Sequence, residues 1–435
     1  MIVDFILQGL VAIVDVAMVG RLGSESIAAI GFARPIVWFM FAFFGGFNQA
    51  VNALVARHTG AMDHERAQQT AFHSLLFTTY IGILAGVLIY FFIPSILSVF
   101  AIEDGVRLLM ISYLKIIALG IVFAFYTYIL TGIFQGMGHT KIQLYVTAIM
   151  NVLNVILSYF FIIKDQFIDI IPISGMGLGV AGAAWSLVIT RMIGALVLVI
   201  LLRSGKYSVR LRFDSFIPLW NVIRPMNVIG LPLGMMGIAG SSMFIIINEI
   251  AARTAIGTNA ISALTVGQLT ESFAYMPSIG FMSGVMIMVG QNIGAGRLDR
   301  VDKCTDIGAK IYFVYLAFCG LMYLLFPISL VGIFTNDPAV IYPASMYILI
   351  FGVPVVSYFI LPYAGALRAA GDTTVPMIIN LVAMFGIRVP LSYYLALHTN
   401  LDYEGIWWAM AIGMVLEQVA LLLRYRQGVW RRIKL

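Results

Sequence analysis

Apolar residues gather in long runs along this chain, each near the ~20 residues that a helix needs to cross a bilayer. Twelve runs can be marked: 2–20, 36–56, 71–93, 108–134, 142–163, 178–202, 228–253, 266–290, 308–330, 341–366, 376–397 and 405–423. We call them spans 1 to 12. Span 1 has no basic flank and no small-residue cleavage site before a soluble domain, so it is expected to be a retained helix rather than a signal peptide.

The runs also repeat. Shifted by 234 positions, "GGFNQAVNALVARHTGAMDHER" (45–66) falls on "IGFMSGVMIMVGQNIGAGRLDR" (279–300), and Gly46, Phe47, Val51, Val55, Gly60, Ala61 and Arg66 meet identical residues. Shifted by 233, "TGIFQGMGHT" (131–140) falls on "AGALRAAGDT" (364–373), and a few residues later, with the shift back at 234, "LSYFF" (157–161) meets "LSYYL" (391–395). A repeat of six spans, an even number, gives both copies the same orientation, related by an axis along the membrane normal. The expected organisation is a first lobe over 1–202, a cytoplasmic linker over 203–226 and a second lobe over 227–435. The repeat partner of span 1 reaches back to Pro225, which maps ahead of Met1 and predicts further residues upstream.

Composition narrows the class. The chain is 61% hydrophobic and 11% charged, with a mean hydropathy of +0.98. A soluble surface needs many more charges. The expected class is therefore an all-α polytopic membrane protein of twelve transmembrane helices in two pseudo-symmetric six-helix lobes. The net charge of +6 follows the topology. Most Lys and Arg lie in the loops after even-numbered spans and in the C-terminal tail, and the loops after odd spans hold Arg21, Arg34, Arg107, Lys164 and Arg253. By the positive-inside rule both termini are cytoplasmic, in a multi-pass protein of the inner membrane. The basic clusters suit anionic lipid, and no nucleic-acid partner is expected. Cys304 and Cys319 give neither a disulfide framework nor a metal spacing.

Against this apolar background each polar residue within a span is informative. Asp15 stands alone in "GLVAIVDVAMVGRLG", and a charge at the bilayer centre costs roughly 2.5–3.5 kcal/mol on insertion scales, so an intramembrane acid is a functional hypothesis. The 234 shift lays Asp15 on Glu249, which makes Glu249 the second-lobe candidate although it lies close to the outer surface. On span 5, Asn151, Asn154 and Ser158 share one helical face, Ser158 near Asp15 in depth and Asn154 one turn deeper. Gln8 shares the face of Asp15. A carboxyl held away from water can take a proton on one side of the membrane and release it on the other, and the neighbouring hydrogen bonds would rearrange as it does. Arg388 and Glu417 lie at similar depth on spans 11 and 12 and are read as a structural ion pair. Lys115 is the cation nearest Asp15 in depth, Arg191 lies deeper, and Glu271, near the outer end of span 8, is expected to be hydrated.

Several stretches together resemble the multidrug and toxic compound extrusion (MATE) family. They are "VDVAMVGRLGSESIAAIG", "GIFQGMGHTKIQLYVTAIMNVLNVILSYFFI", "GLGVAGAAWSLVITRMIGA", "VGQNIGAGRLDRV" and "LRAAGDTTVPMIINL". The resemblance implies two six-helix lobes around a V-shaped central cavity, and export of bulky, often cationic compounds against inward flow of protons or sodium. The family's first-lobe cation site uses an Asp matched by Asp15, and an Asn on span 5 matched by Asn154. Ser158 stands where that family usually has a second Asp, and residues 338–371 contain no acid where the sodium-coupled NorM branch has one. Both departures bring the resemblance nearer the DinF-like branch, with a proton as coupling ion and sodium as the alternative.

The substrate side is read from composition. Twenty-three Met and 56 aromatics suit an adaptable apolar cavity, with Trp38, Phe39, Tyr126, Tyr128, Phe273, Tyr275, Met282 and Met286 as candidate wall residues. No cofactor and no resident metal is expected, apart from sodium at Asp15 in the alternative reading, and the protein is expected to act as a monomer on small organic substrates. A lipid-linked oligosaccharide flippase of the same superfamily is the alternative, but only Lys115, Arg191 and Arg388 would offer it buried cations. A major-facilitator transporter shares the 6+6 pattern, yet the loop after span 2 reads "ARHTGAMDHERA" and lacks that family's Gly and Asp-Arg pair. A membrane-embedded enzyme is the distant alternative: the five histidines form no HExxH, and no GxSxG occurs within a span. No ATP-binding motif occurs either, so an ion gradient or the substrate itself must supply the energy.

Overall fold

The computed structural model describes residues 18–19, 22–98, 103–162, 175–211, 217 and 219–433. Among these residues the regular structure is all helical, with no strand. Spans 2 to 6 are the helices Ser24–Gly60, His64–Ser98, Asp104–Gly136, Thr140–Ile162 and Val180–Arg203. Spans 7 to 9 are Trp220–Ala252, Thr258–Gly294 and Leu298–Leu325, and span 12 is Tyr403–Arg426. Span 11 runs from Thr374 to His398 through a π-helical stretch, Val382–Arg388. Span 1 falls almost wholly outside the described residues.

The helices overrun the apolar runs because charge and proline interrupt hydropathy without stopping a helix. Span 2 starts at Ser24 rather than near residue 36, and carries Pro35 in its interior. Span 10 differs from its expected form. The run 341–366 predicts one helix, whereas the structure has Pro338–Phe351 and Pro354–Ala370 inclined at 49°. Pro354 cannot donate to the ladder and restricts the residue before it, and residues 354–360 continue as a 3-10 helix.

Contacts divide the chain into Met1–Gly230 and Leu231–Leu435. In the first unit, Ala29 and Val37 of span 2, Leu97 of span 3, Leu114 of span 4 and Val188 of span 6 form a common core. In the second, Ile247, Leu264, Leu316, Tyr347, Phe351 and Trp407 do so across spans 7, 8, 9, 10 and 12.

Lipid tails are as apolar as Leu, so helices in a membrane associate through close packing, which small residues permit. The same close approaches occur in both units. A β-carbon on Gly86 would lie 2.6 Å from the Ala118 carbonyl oxygen, and one on Gly320 would meet the Gly352 carbonyl, 234 positions on in each case. A β-carbon on Gly132 would lie 2.7 Å from the Asn48 carbonyl oxygen, and one on Gly365 would meet that of Met282. Gly182 against Phe161 recurs as Gly405 against Leu395. The repeat is thus one of helix contacts as well as of letters.

The offset is 234 from Ala118 to Gly352 but 233 from Gly132 to Gly365. One residue fewer in a continuous helix would turn everything beyond it by about 100°. The break in span 10 lies between these two contacts and takes up that turn, so Gly365 still meets Met282 as Gly132 meets Asn48.

Candidate functional site

The first-lobe candidates are carried by span 5. Asn154 is buried, 3% exposed, and both atoms of its amide lack a hydrogen-bond partner among the described residues. Buried amides without partners are unusual and costly. The Nδ2 of Asn151, one turn earlier, is likewise buried and unpartnered. Ser158 is fully buried, with its Oγ 2.8 Å from Oγ of Ser186 on span 6. Ser186 donates to the Ala183 carbonyl, and Thr190 donates to the Ser186 carbonyl. The structure therefore brings Asn151, Asn154 and Ser158 onto one buried stripe and adds Ser186 and Thr190, which the sequence reading missed. Met18 and Val19 pack beside Ile162 and Ala183, with Val155 and Tyr159 against them. Asp15 and Gln8 lie outside the described residues. The Lys115 ammonium sits 4.9 Å from the centroid of the Tyr90 ring.

In the second lobe one of the two acids departs from expectation. Glu249 is on the surface, paired at 2.8 Å with Arg253 one turn on, both side chains more than half exposed. Glu271, expected to be hydrated, is 9% exposed. Each of its oxygens accepts a hydroxyl: Tyr347 donates to Oε2 and Tyr358 to Oε1, both at 2.5 Å. Those tyrosines come from opposite sides of the break in span 10, and their distance along the chain hid the arrangement from sequence. Arg388 pairs with Glu417 at 2.6 Å, and Asn380 donates to the other carboxylate oxygen at 2.8 Å.

The candidate wall residues divide. Trp38, 62% exposed, with Phe39, Phe273 and Tyr275, offers free ring surface. Tyr126 is half-buried, its hydroxyl 2.5 Å from Oγ1 of Thr79, and the Tyr128 ring stacks on Phe41. Met282 and Met286 are core residues instead: Met286 is 1% exposed among Val285, Val289 and Ala366. The repeat register held the signal. It lays Met282 and Met286 on Asn48 and Asn52, which face span 4. Asn48 donates to the Tyr128 carbonyl at 2.5 Å and Asn52 to Gln135 at 2.7 Å, and Gln135 donates to Gln143. The second lobe has thioethers where the first has amides. Among the described residues, no three of His, Cys, Asp and Glu converge to hold a metal.

Known proteins are similar to this chain in sequence and fold. The chain is 25% identical to the "probable multidrug resistance protein YoeA" of Bacillus subtilis, over 98% of this chain and 91% of that protein. It is also 25% identical to the "probable multidrug resistance protein NorM" of Thermotoga maritima, over 98% and 90%. A solved outward-facing multidrug resistance MATE family transporter of the MOP superfamily superposes with a TM-score of 0.89 at 20% identity, covering 100% of this chain and 95% of that one. The fold is thus the twelve-helix, two-lobe architecture of such structures. The MatE family model matches residues 1–160 and 232–394. Covering both copies of the repeat, that match places the chain in the MatE family.

Proposed function

We propose that this protein is a secondary active antiporter that exports bulky, often cationic organic compounds from the cell in exchange for protons, by alternating access. Family membership and the multidrug-resistance names of its relatives support the export. The observation that carries the coupling is Asn154: a buried amide with both ends unpartnered among the described residues, next to the Ser158–Ser186 hydroxyl pair. Such a site has unused hydrogen-bonding capacity where a charge or proton could be received. The packing of Met18 and Val19, three and four residues after Asp15, beside spans 5 and 6 supports Asp15 as the group that uses it.

In this reading Asp15 takes up the proton, and Asn154, Ser158, Asn151 and Gln8 exchange hydrogen bonds as its charge comes and goes. A substrate that binds one of the two resulting shapes better is released when the other is populated, which is coupling by differential affinity. Sodium is the alternative ion, since Asp15, Asn154 and Ser158 offer some of the oxygens it would need. Glu249, surface-paired to Arg253, is the weaker candidate for coupling in the second lobe.

The test is dye export from proteoliposomes under separately imposed proton and sodium gradients, for wild type and Asp15→Asn. Export driven by the proton gradient alone, and stopped in the variant while dye still binds, is the expected result. Normal export by Asp15→Asn overturns the assignment.

A further inference from the structure

Span 10 is broken, and one side chain of span 8 holds both pieces. Tyr347 lies four residues before Phe351, the last residue of the outer piece, and Tyr358 lies four residues after Pro354, the first of the inner one. Glu271 accepts a hydroxyl from each at 2.5 Å. Among the described residues no cation is paired with it, and Arg368 of the inner piece faces Tyr275 instead. Tyr275 is one turn along span 8, with its ring 5.4 Å from that of Tyr358. Tyr323 of span 9 donates to the carbonyl of Thr270 at 2.9 Å. Trp407 of span 12 sets its edge against Tyr347 at 5.2 Å. Arg388, the cation whose field reaches Glu271, is 2.6 Å from Glu417 and committed to it.

We propose that Glu271 is a proton-operated clamp on span 10. Ionised, it is acceptor-only and takes both tyrosine hydroxyls, tying the outer and inner pieces at their 49° bend. Protonated, it loses the charge that strengthens both bonds, and the oxygen that bears the proton becomes the poorer acceptor, so the tyrosine on it turns its hydroxyl to accept or is held less firmly. One of the two ties is then weakened and the pieces are released from that angle. The first lobe offers the contrast: its repeat partner, Asp104–Gly136, is a single unbroken helix. The break thus gives the second lobe a joint, and Glu271 makes the joint responsive to protons. This extends the export reading, and rests on it only for the use to which transport puts the motion.

The experiment is a spin-label distance measurement across the joint, in full-length protein with Cys304 and Cys319 replaced by Ser. The labels go on Tyr342→Cys, on the outer piece, and Thr374→Cys, at the start of span 11 just beyond the inner piece, both exposed. From mildly alkaline to mildly acidic pH the distance should lengthen, by up to about 4 Å if the span straightens fully at the usual helical rise. Glu271→Gln should show the acid distance at every pH, and Tyr358→Phe should weaken the pH response. A wild-type distance that ignores pH overturns the proposal, and so does a Glu271→Gln protein that still follows pH. The wild-type titration needs no altered clamp residue, so misfolding of a variant cannot spare the idea. The readout needs no transport: a responsive joint without proton-driven export would leave the clamp standing and sink the antiport reading, and the converse would do the reverse.

Discussion

Arg388 and Glu417 form an ion pair at 2.6 Å with side chains only 12% and 9% exposed, and Asn380 holds the second carboxylate oxygen. Removing one partner of such a pair strands the other charge, a loss of about 3–5 kcal/mol, whereas replacing both with apolar residues of similar volume is often neutral or better. Arg388→Met and Glu417→Leu should each lower the melting temperature in detergent sharply. The double variant should recover most of the loss.

The glycine contacts make a paired prediction. Gly132→Ala and Gly365→Ala each push a β-carbon into a backbone carbonyl of the facing helix, and backbone cannot yield as a side chain would. Overpacking of this kind costs about 1–3 kcal/mol. Thermal unfolding should show comparable losses for the two variants, one in each lobe, while a control such as Gly31→Ala, with open space at its β-carbon, should be unaffected.

Asn154 separates stability from function. Asn154 has no hydrogen-bond partner among the described residues, and an unpartnered buried amide costs about 1–3 kcal/mol, so in the state described Asn154→Leu should be at least as stable as wild type. If the amide serves coupling, the same variant should lose proton-driven export. A variant that is both stable and fully active would remove Asn154 from the mechanism.

Core and surface members of the candidate wall set should part company in the same way. Met286→Ala leaves a cavity in a packed interior, at a cost of about 2–5 kcal/mol, and should leave the relative preference among dyes unchanged. Trp38→Ala and Phe273→Ala, at exposed rings, should barely move the melting temperature. Competition between dyes for export is where their effect would be read.

The C-terminal residues belong to the second lobe's packing. Trp430 is buried, stacks on Tyr425 at 5.3 Å and donates to its carbonyl, while Arg431 reaches Asp302 at 2.5 Å. Trp430→Ala should cost about 3–5 kcal/mol and be visible as a lowered unfolding temperature. Arg431→Ala, at a half-exposed pair, should cost under about 1 kcal/mol.

Hydropathy made the spans and the repeat legible because both depend only on which residues avoid water. It could not place helix ends: Arg34 and Pro35 lower hydropathy within a helix that runs on from Ser24. The joint in span 10 was written in Gly352, Pro354 and the change of offset from 234 to 233, but a hydropathy run is blind to direction. Asn151, Asn154 and Ser158 were readable as one face because helical periodicity is local. Glu271 was not, since the apolar run 266–290 put it near an outer end whereas the helix begins at Thr258, and its partners stand 76 and 87 residues away. Met282 and Met286 misled for a related reason: composition marks them as adaptable wall material, and only the facing helix shows that they are core.

A length change inside a packed rod would ordinarily throw every later contact out of phase. Here a difference of one residue between the copies is taken up at Gly352–Pro354, and the contact just beyond it, Gly365 with Met282, matches that of Gly132 with Asn48. The lobes were therefore free to diverge in mechanics without diverging in architecture. One kept a strut where the other carries a knee.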